Sequence, residues 1–218
     1  MACETAQVER GPGVGEARRI AQIEAVIRDW LEEPDITLFC GDWRSGSIME
    51  IIPEGRAVLT GPRYPEPFSG LRDITLADQG HHLHLDLAKL ATVVYAVAPS
   101  VCYGYRPSFE VRFSDALSGT VAFSMGLREP YHGRRTNRAA LVPYFRRLLA
   151  HHERYREVVR FRMDASTHHA STAPESWHEV YDCWLEAGGA RGERDTLPLG
   201  PEALSIAVRS VLGDSVHA

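Results

Sequence analysis

The chain has 218 residues, 44% of them hydrophobic and 24% charged, with a formal charge of −5. These values exclude disordered, collagen-like and coiled-coil chains, and at this length folding buries roughly 70% of the unfolded surface, enough for one apolar core without disulfide staples. The acidic balance also argues against nucleic acid as a partner, because neutralising phosphates requires a basic field.

From Glu16 to Glu33 the apolar residues Ile20, Ile23, Ile27, Trp30 and Leu31 recur at helical spacing and Pro34 closes the segment, which predicts an amphipathic helix. The period then changes to that of short strands. Ile36 to Cys40, Ser47 to Ile52 and Arg56 to Thr60 are β-type runs separated by turn residues. Gly80 to Leu85 alternates and ends in a single turn, Ala91 to Ala98 is β-branched and apolar, and Phe109 to Phe113 and Thr120 to Met125 flank a hairpin turn at Asp115 to Gly119. Beyond Gly126 a loop leads to a helix over Ala139 to Arg154, starting near Val142 so that Pro143 falls in its first turn. Val158, Phe161 and Met163 fit either period. Two further helices open at Pro174 and Pro201. The order of helix, antiparallel strands and helices predicts an α+β fold. Its domain spans residues 16–155, with a loose N-terminus at 1–15 and a helical extension at 156–218 packed on it.

Four cysteines stand at 3, 40, 102 and 183 without CxxC or CxxH spacing, which fits reduced thiols. The first residues lack an apolar leader and no run reaches 18 apolar residues, so the expected location is the cytoplasm, away from membranes. Among the basic residues only Lys89 is lysine, the other 23 being arginine, and histidine appears ten times. A GC-rich genome would account for arginine in place of lysine, while the sharper reading is a cluster of Arg beside a pocket for an anionic ligand. Such a genome does not account for ten histidines.

The histidines focus attention on GHHLHLD, Gly80 to Asp86. Side chains on a strand alternate between faces, so His82 and His84 share one side about 6.5 to 7 Å apart and His81 takes the other. Two such imidazoles suit a transition-metal ion, an axial bond to haem iron or, as cations, a propionate. Exposed polar surface is the competing reading, and a directly bound ion needs a further ligand such as Asp86. The link Ser100 to Phe109 groups Cys102, Tyr103, Tyr105 and Arg106 into an amphipathic wall with a fixed cation, or else caps a sheet edge. His132 lies in an Arg-bearing loop where pocket rims form. His151 and His152 close a helix, with His152 on its apolar stripe. His168 and His169 sit in a Ser/Thr-rich loop. There is no GxSxG, Walker, GxGxxG or HExxH motif.

The run HHLHLDLAKLATVVYAVAPSVCYGYRPSFEVRFSDALSGTVAFSMGL, followed by the helix ALVPYFRRLLAHH, resembles one half of the HemS/ChuX/HutX-like haem-utilisation proteins. The residues that carry the likeness include Gly80, His82, Leu83, Asp86, Pro99, Gly104, Arg106, Phe113, Phe123 and Gly126, and it covers about residues 75 to 155. In the place of the family's Arg-Pro-Phe-Met-Gly-Arg link this chain reads Ala98-Pro99-Ser100-Val101-Cys102-Tyr103-Gly104-Tyr105-Arg106, so the first arginine is missing. The resemblance implies a curved antiparallel sheet carrying helices, a homodimer and a bound haem that is trafficked, stored or broken down. His82 or His84 would bind the iron, Arg106 a propionate, and Tyr103 and Tyr105 would line the porphyrin, with His132 in reserve. The alternative is an enzyme of bacterial specialised metabolism using haem or a mononuclear metal held by His82 and His84. Either way the partner is haem or another small anionic ligand.

Overall fold

A computed structural model describes residues 14–42, 47–53, 57–60, 71–76, 82–100, 103–104, 106–163, 174–192, 200–213 and 216–217. In chain order the elements are α1 (Val14–Leu31), β1 (Ile36–Asp42), β2 (Ser47–Ile51), β3 (Ala57–Thr60), β4 (Leu71–Leu76), β5 (His82–Asp86), a 3-10 turn (Leu87–Lys89), β6 (Leu90–Pro99), β7 (Pro107–Asp115), β8 (Val121–Leu127), the two-residue strands β9 (Tyr131–His132) and β10 (Arg135–Thr136), α2 (Arg138–Arg154), β11 (Val159–Met163), α3 (Pro174–Glu186), α4 (Pro201–Leu212) and β12 (Val216–His217). The α+β class expected from the sequence is what the chain adopts.

The main sheet runs β12-β11-β6-β7-β8-β1-β2. It is mixed, which corrects the antiparallel expectation. β11 pairs parallel with β6, Phe161 opposite Tyr95, because α2 carries the chain back along the sheet before β11 begins. The residues whose period was ambiguous therefore lie on or beside a strand, with Val159, Phe161 and Met163 turned inward and Arg160 and Arg162 outward. A second correction concerns the histidine strand. β5 belongs to a separate three-stranded sheet, β3-β4-β5, whose middle strand the sequence reading passed over.

One core unites the layers. Val93, Tyr95, Val97, Phe109, Val111 and Phe113 point from β6 and β7 into the cluster that also takes Trp30 of α1, Phe145 of α2, Trp184 of α3 and Val208 of α4. The two-residue period of the strands and the 3.6-residue period of the helices meet there. α1 serves both sheets. Its Trp30 indole lies 6.0 Å from the Tyr95 ring in the main sheet. On other sides of the helix Glu24 accepts from Arg72 Nε of β4 at 2.9 Å, and Arg28 donates to the Leu59 carbonyl of β3 at 2.9 Å. Burial pushes the Glu24 carboxyl up, but Arg28 and Arg72 outweigh it and hold the group below the ordinary range.

α2 starts at Arg138, four residues earlier than predicted, so Pro143 sits in its second turn. The proline forgoes one helical hydrogen bond. Tyr144 and Phe145, which follow it into the core, supply the compensating burial.

Candidate functional site

The small sheet positions the two histidines by register. Thr75 lies opposite His82 and Asp73 opposite His84, with Thr60 of β3 opposite Asp73 in turn. On the other side of these strands Leu59, Ile74 and Leu83 form an apolar row toward α1, which turns Thr60, Asp73 and His84 to the outer face. His82 and His84 share that face as the alternation predicts. Their ring centroids stand 4.6 Å apart at an interplanar angle of 81°, closer than the backbone spacing because the rings lean together.

Asp73 was not anticipated. Its Oδ1 accepts from His84 Nδ1 at 2.6 Å, and its side chain is 10% exposed against 51% for His84. A buried carboxylate thus orients a half-exposed imidazole. With Nδ1 carrying the proton toward Asp73, Nε2 is the lone-pair nitrogen of the neutral ring. This arrangement of carboxylate, imidazole and outward nitrogen is the one that metal-ligating histidines ordinarily use. Among the described residues no group of three or more His, Cys, Asp and Glu side chains is placed to hold an ion. Asp86 is engaged elsewhere, accepting from the Ala88 amide at 3.2 Å to cap the 3-10 turn.

The Tyr103–Arg106 link forms a second cluster. Arg106 donates through Nε to the Tyr103 carbonyl at 3.0 Å and through Nη1 to the Gly133 carbonyl at 2.7 Å, and its guanidinium lies 4.1 Å from the centre of the Tyr131 ring. Tyr131 donates to the Pro107 carbonyl, and Tyr103 shares its hydroxyl proton between the carbonyls of Leu127 and Arg128. These contacts clasp the link to the hairpin formed by β9 and β10. His132 is exposed on β9, paired in register with Arg135.

The structure therefore brings Tyr103, Arg106 and the segment of His132 together, in contacts that include neither His82 nor His84. Tyr105, Cys102, His81, His168 and His169 lie outside the described residues.

A third polar group links α1 and α2 to β6, with its Tyr95 end buried and its Asp29 end half exposed. His151 Nδ1 is 2.6 Å from the Tyr95 hydroxyl and its Nε2 is 3.1 Å from Asp29 Oδ2, while Arg147 bonds both Asp29 and Glu33. The helical pattern predicts His151 only as a residue closing a helix. Its partners come from residues 56 and more positions away, which no local pattern reveals. His152, expected on the apolar stripe, is indeed buried.

No family model matches this sequence, and no curated protein matches it. No helix among the described residues is long and apolar enough to cross a membrane.

Proposed function

We propose that this chain binds haem, serving its trafficking, storage or breakdown, with His84 of the small sheet as the iron ligand. The observation that carries the reading is the 2.6 Å bond between Asp73 and His84. A fixed Nδ1 proton aims Nε2, so the ring is oriented for an electrophile approaching the outer face. Bound haem would supply that electrophile as its iron. Asp73 holds the ring orientation, and His82 stands in ring contact as a neighbouring donor. Arg106, whose guanidinium serves the clasp around Tyr131, is not needed for this reading. The family resemblance supports the same ligand class and adds a homodimer and a cytoplasmic location.

The contact between the two imidazoles favours a second reading, a single transition-metal ion held by His82 and His84 together in an enzyme of specialised metabolism. One experiment separates the two. Haemin is titrated into the purified protein and the Soret band followed, with zinc and copper titrated in parallel. Haem ligation predicts a shifted band that His84→Ala abolishes and Arg106→Ala leaves intact. No shift in the wild-type protein, or an unchanged shift in the His82→Ala, His84→Ala double variant, overturns it. Stoichiometric metal binding lost in either single variant establishes the second reading.

A further inference from the structure

Two tyrosines, Tyr95 and Tyr144, stand fully buried at the centre of the core with ring centroids 5.4 Å apart, and both rings touch Trp30. They differ in what their hydroxyls meet. Tyr144 donates to the backbone carbonyls of Ala96 and Glu110, which cannot take a proton. Tyr95 meets an imidazole. Trp30 Nε1 donates to the Tyr95 oxygen at 2.9 Å, and the Tyr95 proton then has His151 Nδ1 as its acceptor at 2.6 Å. His151 Nε2–H in turn donates to Asp29, whose side chain is 48% exposed. Hydrogen-bond accounting selects this neutral tautomer, because the reverse assignment leaves the phenolic hydrogen without an acceptor.

We propose that Tyr95 and His151 form a one-electron redox site, at which Tyr95 gives an electron to a strong one-electron acceptor and its proton to His151. The acceptor class is that of a ruthenium(III) polypyridyl complex. In the step the Tyr95 O–H bond breaks and an N–H bond forms at His151 Nδ1. The electron leaves to the acceptor, so the acceptor is reduced by one and Tyr95 becomes a neutral radical. The positive charge resides on the imidazolium, with its Nε2–H still on Asp29. Re-reduction returns the proton to the phenolate oxygen.

Electrostatics selects Tyr95 over its neighbour. Withdrawing an electron without moving a proton leaves a bare cation in a low-dielectric core, which is costly. The 2.6 Å bond to His151 lowers that cost for Tyr95 by placing the charge beside Asp29, a carboxylate it shares with Arg147, which Glu33 also pairs. Tyr144, equally buried and in contact with the same indole, has no such outlet. Burial raises the proton affinity of both phenolates, so neither ionises without a base in hydrogen-bond contact. A route outward exists in the aromatic contact of His151 with Tyr155, 5.9 Å away at the end of α2.

The test is flash photolysis of the purified protein with a ruthenium polypyridyl sensitiser and a sacrificial quencher, read by transient absorbance and electron paramagnetic resonance. The wild type is expected to show a long-lived neutral tyrosyl radical, shielded from solvent. Tyr95→Phe loses it and Tyr144→Phe retains it, with circular dichroism confirming that both fold. Asp29→Asn, at a half-exposed position, shortens the radical lifetime, a change that a merely structural network would not produce. Absence of a long-lived radical in the wild type, its persistence in Tyr95→Phe, an equal loss in Tyr144→Phe or an unaltered lifetime in Asp29→Asn would each overturn the assignment. The experiment needs no haem and is independent of the reading of His84.

Discussion

Asp73 faces His84 across the β4 and β5 ladder, and its buried Oδ1 lies 2.6 Å from the Nδ1 of a ring that is half exposed. The exposed ring is held by a partner that solvent barely reaches. For Asp73→Asn this predicts a loss of about 10- to 100-fold in affinity for haemin or for a metal ion, the ordinary consequence of removing a ligand's hydrogen-bond partner. Titration by absorbance checks it. A variant that binds as the wild type does would mean that the carboxylate does not orient a ligand.

Replacing Arg106 by alanine removes two charge-assisted bonds to carbonyls and the stack on Tyr131. Such contacts contribute about 1 to 3 kcal/mol in partly exposed settings, so a lower urea midpoint with unchanged haemin binding is expected. Arg106→Lys should recover only part of the stability, because an ammonium cannot reproduce the fork. If affinity falls while stability holds, the arginine belongs to the ligand site after all.

His152 gives stability a dependence on mildly acid pH. Burial, followed by the cations of Arg156 and Arg160, holds its pKa below the ordinary 6.5. The unfolded chain therefore takes up the proton at a higher pH than the folded one, and stability falls as the pH is lowered from above 6.5 through the folded value. Replacing His152 by glutamine should flatten that decline. Urea denaturation at a series of pH values measures the slope in both proteins.

Gly189 has no room for a side chain. A Cβ there would lie 2.1 Å from the indole of Trp184, which is fully buried, packs 5.7 Å from Phe145 and donates to the Ala190 carbonyl. Gly189→Ala is expected to cost about 1 to 3 kcal/mol or more, since the ring cannot yield without disturbing α2. Its denaturation midpoint is to be compared with that of Gly15→Ala, where a Cβ meets nothing within 4 Å.

What was legible in the sequence is what local period controls. The apolar stripe Ile23, Ile27 and Trp30 reads as α1, and the alternation of His82, Leu83, His84 and Leu85 places both imidazoles on one face. β4 escaped because its inward row is Arg72, Ile74 and Leu76. Arg72 looks like a surface residue until Glu24, 48 residues earlier, arrives to pair with it. Losing β4 also lost Asp73, and with it the reason His84 differs from His82. The Tyr95, His151 and Asp29 chain stayed hidden for the same reason, as its three members lie on three elements that only tertiary packing brings together.

The parallel pairing of β11 with β6 carries a consequence for synthesis of the chain. Val93 to Val97 are complete before residue 100 emerges, yet their second ladder partner, Val159 to Met163, follows some 60 residues later. Until then β6 presents an open hydrogen-bonding edge of five largely apolar residues, the kind of edge that recruits other chains. Docking of β11 on β6 is thus a late event in synthesis. Released chains truncated at residue 155 should be more prone to aggregate than those extended past residue 165.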